Sequence, residues 1–94
     1  MKTFRLLVLA TMLTSAAFAD KLAFDPADTA ATVLKQQTGQ KVELRMKSGE
    51  KIVGKVEAVG THAVHLSTLA GQEFFDAVVM ISDISAVIVR TGGK

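Results

Sequence analysis

The sequence predicts a mainly β protein, with a short N-terminal helix followed by a five-stranded, strongly bent antiparallel barrel. Three observations lead there. From Lys41 onward apolar residues alternate with polar ones, the period of a half-buried strand. Turn-forming pairs then recur at short intervals: Ser48-Gly49, Gly60-Thr61, Ala70-Gly71 and Ser82-Asp83. Finally, Gly54 sits in the middle of the second strand, where glycine costs stability unless the backbone bends sharply or something approaches it closely.

Residues 1–19 read as a separate unit. Lys2 and Arg5 form a basic head, Leu6 to Ala19 is apolar, and Ala17-Phe18-Ala19 is a small-x-small cleavage pattern. The apolar run is shorter than the roughly 20 residues a bilayer span needs. These features predict a removable secretory signal, cleaved after Ala19, and a soluble periplasmic or secreted chain from Asp20 to Lys94. Removal of Lys2 and Arg5 would leave nine basic residues against nine acidic ones. A neutral domain lacks the overall field that drives phosphate binding, so a nucleic-acid partner is disfavoured. The absence of cysteine excludes disulfide staples and a lipidated cysteine at the cleavage site. A small domain without disulfides often gains stability from a partner or from self-association.

Residues 20–39 hold a lead-in and one helix, expected over about 26–37. Asp25 suits the N-cap, Pro26 the first helical position and Asp28 the positive end of the helix dipole. Ala30, Val33, Leu34 and Gln37 fall on one face, and Gly39 is placed to stop the helix. A helix this short needs tertiary support, here the surface or end of the barrel.

The barrel occupies residues 40–90. In the first strand Val42, Leu44 and Met46 face inward, while Lys41, Glu43, Arg45 and Lys47 face out. The second strand, about 51–59, is expected to point Ile52, Val56 and Ala58 inward and Lys55 and Glu57 outward. A strand shared by both sides of a small barrel must bend, and Gly54 marks that bend. The third strand is expected over about 62–69, the fourth over 72–79 and the fifth over 84–90, with a frayed tail at 91–94.

The last two strands carry more apolar surface than a single core requires. Residues 74–81, FFDAVVMI, are apolar on both faces except at Asp76, and Ile84, Ala86 and Ile88 alternate with Ser85, Val87 and Val89. Either the helix or a second copy must cover this surplus, and we favour a homo-oligomer seam through Phe75, Val79, Ile81, Val87 and Val89.

Chemistry-bearing residues are sparse. His62 and His65, three apart on one strand, would point to opposite faces, so no metal site or other cofactor is expected. Ser67 lies two residues from His65, but no strained-turn nucleophile motif accompanies it, and no catalytic residue is assigned. Asp83 reads as a turn former; Asp76 has no evident role. Lys41, Arg45, Lys47, Lys51 and Lys55 crowd the first hairpin beside Glu43, Glu50 and Glu57. The mixed signs describe a solvated face. Lys41, Arg45 and Lys47, with His62, are the alternative: a docking surface for an anionic envelope partner such as a polysaccharide, a lipid headgroup or an acidic protein.

The run VELRMKSGEKIVGKVEAVGTHAVHLST, residues 42–68, resembles the Sm-like family, especially its bacterial Hfq branch. Gly49 matches the turn glycine of the family's first motif and Gly54 its second-strand glycine; ISDISAVIV is similar to a variant of the second motif. The resemblance implies an Sm/SH3-like barrel and rings joined through the fourth and fifth strands. It also implies RNA binding, but the positions that would carry it depart from the family pattern. The aromatic of the uridine pocket falls on His62, and its Lys-His pair near Ile81 and Ser82. The aromatic of the other RNA face is replaced by Arg45, and an apolar residue of that face by Glu50. Stacking needs flat rings and phosphates need cations, so an RNA-binding role is the disfavoured alternative. The chain is also similar to small exported bacterial SH3/Sm-like barrel proteins, from which it departs by lacking the lipidation cysteine. The expected function is a non-catalytic, exported, self-associating binding or scaffolding module.

Overall fold

The computed structural model describes residues 21–92. The segment read as an export signal, residues 1–19, and the last two residues of the tail lie outside it.

The elements follow in the order α1 (Ala30–Gln36), β1 (Lys41–Met46), β2 (Lys51–Val59), β3 (Ala63–Ser67), β4 (Ala77–Met80), a 3-10 turn (Ile81–Asp83) and β5 (Ile84–Val89). They form one antiparallel sheet in the order β4-β3-β2-β1-β5. Leu34 of α1, Val42 and Leu44 of β1, Val56 of β2, Val64 and Leu66 of β3, Leu69 of the β3–β4 connection and Val79 of β4 meet in a single core. The two end strands share that core, which requires the sheet to curl around it.

The helix begins later than its sequence signals suggest. The Asp25 carboxylate accepts the Ala27 N–H at 2.8 Å, and the Asp25 carbonyl accepts the Asp28 N–H at 2.7 Å, so Asp25-Pro26 forms a turn. Thr29 caps instead, in a reciprocal box with Thr32: each threonine's Oγ1 accepts the other's backbone N–H. Val33 and Leu34 are buried as expected. Gly39 has φ +86°, and its N–H donates to the Val56 carbonyl at 2.7 Å, which turns the chain from α1 into β1.

Gly49 lies in the hairpin turn at φ +95°, a conformation that favours glycine. Gly54 answers a different demand. A Cβ there would lie 2.9 Å from Leu69 Cδ2, 3.0 Å from the Ser67 carbonyl oxygen and 3.3 Å from Leu66 Cβ. Close approach by the end of β3 accounts for the glycine. β2 also changes partners here: Lys51 to Lys55 pair with β1, and Lys55 to Val59 pair with β3. Thr68, at φ +50°, lets the chain leave β3, and the Ala70 N–H closes on the Val53 carbonyl at 2.9 Å.

Two irregularities change the expected side-chain directions. The β2–β3 register shifts between Val56 and Ala58, so Ala58 is exposed and Val59 packs against the core. The inward orientation expected of Ala58 is therefore corrected to Val59. In β1–β5 the register shifts after Arg45, and the Ser85 hydroxyl donates to the Arg45 carbonyl at 3.0 Å.

β4 is shorter than expected. It starts at Ala77, because residues 70–75 are taken up by successive turns, with the Gln72 N–H on the Leu69 carbonyl and the Phe75 N–H on the Gln72 carbonyl, each at 2.9 Å. No described helix is long and apolar enough to cross a membrane.

Candidate functional site

The residues singled out for a ligand face do not converge. Lys41 and Arg45 lie on the outward side of β1, and Lys47 follows at the turn end of the same strand. His62 is beyond the far end of β2, where its carbonyl accepts the Ile81 N–H at 2.9 Å. β2 is nine residues long, so roughly 25 Å of strand separates the two ends. Arg45 Nε is held by Glu43 at 2.7 Å, and Lys55 Nζ lies 3.6 Å from Glu57.

The residues assigned to an oligomer seam divide by strand parity. Val79 is 5% exposed and part of the core, so its side chain is not available to a seam. Val87 and Val89 are half-buried and pack against that core. Ile81 is half-buried in the 3-10 turn, and Phe75 is exposed in the loop before β4. The exposed apolar residues are their neighbours: Val78 at 69%, Met80, Ile88 and Phe74 at 100%. Periodicity marks the segments that carry surplus apolar surface; which of their alternate residues stay exposed is set by the register. β4 and β5 are the two ends of the sheet, so each has one edge without a strand partner among the described residues.

A polar cluster covers the outward side of β2–β3. The Ser67 hydroxyl donates to Glu57 Oε2, and this hydrogen bond holds the Glu57 carboxyl below the usual carboxylate range; Lys55 and His65 add to the effect, and desolvation opposes it. His65 Nε2 lies 2.8 Å from Asp76 Oδ2. Asp76, without a role in the sequence reading, thus ties the loop before β4 to β3. The pairing spans eleven residues, and only the fold brings it together. Ser67 is engaged by Glu57 and His65 by Asp76, so the two strand neighbours make no nucleophile–base pair. Among the described residues no cluster of three or more His, Cys, Asp or Glu side chains is placed to hold a metal ion.

A groove of about 300 Å³ runs between the lead-in, α1 and β5, lined by Leu22, Phe24, Ala30, Val33, Ile84 and Val87 among others. It is mainly apolar and lies beside the β5 edge.

The archaeal SmAP (LSm) protein of Methanococcus vannielii superposes on this architecture with a TM-score of 0.58, covering 70% of this chain and 100% of that one at 22% identity. The fold is Sm-like. No protein-family model and no curated relative matches the sequence. At this identity the Sm-like likeness describes the backbone: a short helix and five antiparallel strands.

Proposed function

We propose that this Sm-like barrel is an exported, non-catalytic module that self-associates through β4 and β5 and serves as a binding or scaffolding unit. The observation that carries the reading is the pair of end strands, each with an edge that has no strand partner among the described residues and with outward apolar side chains: Val78 and Met80 on β4, Ile88 on β5. Uncovered strand edges are sites of further pairing. Because the two edges differ, a β4-to-β5 contact between copies is head-to-tail, and such a contact closes into a ring when the rotation permits. Export rests on the basic head, apolar run and Ala-x-Ala pattern of residues 1–19.

Light scattering of the purified protein tests the assembly. A stable oligomer is expected; a strict monomer at high concentration overturns the reading. N-terminal sequencing of the protein recovered from the cell envelope tests export, with Asp20 expected first. A salt-sensitive gel shift with oligo-U or oligo-A would move the function toward RNA binding instead.

A further inference from the structure

The outward face of the β1–β2 hairpin carries an arrangement that folding alone disfavours. Lys41 stands directly opposite Lys55, and Arg45 directly opposite Lys51. Directly paired residues in antiparallel strands project to the same side, and like charges so placed repel. All four are exposed. Glu43 offsets Arg45 and Glu57 offsets Lys55, which leaves Lys41 and Lys51 with no carboxylate within salt-bridge distance among the described residues. At the turn end Lys47 and Glu50, both exposed, follow with opposite charges.

The two cationic pairs are four residues apart along β1, about 13 Å. Between them Glu43 is flanked by Val53 on β2 and Ile88 on β5. The face is therefore two cationic rows, with Glu43, held to Arg45, and the apolar Val53 and Ile88 between them. None of the described phenylalanines stands on it: Phe24 precedes α1, and Phe74 and Phe75 precede β4. A single-stranded nucleic acid would find no ring there on which to stack a base.

We propose that this face docks on an anionic phospholipid surface. Lipid headgroups are laterally mobile and can place a negative charge under each cation, relieving the repulsion that the folded hairpin retains. Val53 and Ile88 lie where the headgroup region would meet them. This deepens the binding-module reading by naming the partner's chemistry, and it does not require the assembly to be a ring.

The test is co-sedimentation of the purified protein with phosphatidylglycerol-containing vesicles and with phosphatidylcholine vesicles, at low and high salt. Binding is expected to the anionic vesicles alone and to fall as salt rises. Lys41→Gln and Lys51→Gln should each weaken it about fivefold. Neither change should lower the thermal midpoint, because each removes a repelling charge. Equal binding to phosphatidylcholine, no binding at low salt, or undiminished binding by the double variant would overturn the proposal. Light scattering of the same samples reads assembly separately: a monomer that still binds anionic vesicles sinks the self-association reading and leaves this one standing.

Discussion

The β1–β2 hairpin and the β4 and β5 end strands use their apolar residues differently. In the hairpin, Val42, Leu44 and Val56 enter the core, and both strands have partners on both edges. At the sheet ends, Val79 enters the core while Val78 and Met80 remain exposed, and the outer edges are bare among the described residues. The hairpin is complete within one chain and presents charge; the end strands are incomplete and present apolar surface and backbone. The first region suits a ligand face and the second a contact between copies.

Substitutions can break this comparison, and the largest effect belongs to the shared core. Leu66→Ala removes a fully buried side chain between the two regions and is expected to cost about 2–5 kcal/mol, measured by denaturant unfolding. Gly54→Ala comes next. Its methyl would press on the Ser67 carbonyl and on Leu66, at an expected cost of about 1–3 kcal/mol. A neutral result would mean that the end of β3 yields and that close approach is not the reason for this glycine. Val78→Asp should shift stability by no more than about 0.5 kcal/mol, because the side chain is exposed. Its effect should appear in light scattering as lost assembly; an unchanged oligomer would remove β4 from the seam.

The smallest effect sharpens the polar side of the comparison. The Ser67 hydroxyl keeps Glu57's carboxyl below its usual range, so in the folded protein the group loses its proton more readily than in the unfolded chain. Such a group stabilises the fold above its unfolded value, and that contribution disappears as pH falls through the depressed folded value. Ser67→Ala should therefore lower the thermal midpoint slightly at neutral pH, and the difference should vanish in acid. A difference independent of pH would assign the effect to packing.

Much of the fold is legible in the sequence, for identifiable reasons. Alternation between Val42 and Met46 and the Ser48-Gly49 turn define the first hairpin, because strand faces and left-handed turns leave marks within a few residues. The helix starts later than Asp25-Pro26 signals, because hydrogen bonding among Asp25, Ala27 and Asp28 gives that pair to a turn and the Thr29–Thr32 box caps the helix instead. Ala58 and Val59 exchanged faces because a bulge inserts one residue with no local signature. The His65–Asp76 contact was illegible, since nothing in either segment specifies the other.

The sequence by itself determined the alternating strands, the turn glycine and the crowding of charge on the first hairpin, all of which arise from neighbours along the chain. Tertiary structure alone decided which of Val78 and Val79 is buried, that Lys41 faces Lys55, and that Gly54 lies beneath Leu69. These depend on register between strands, and a shift of one residue reverses every side chain while leaving the local pattern unchanged.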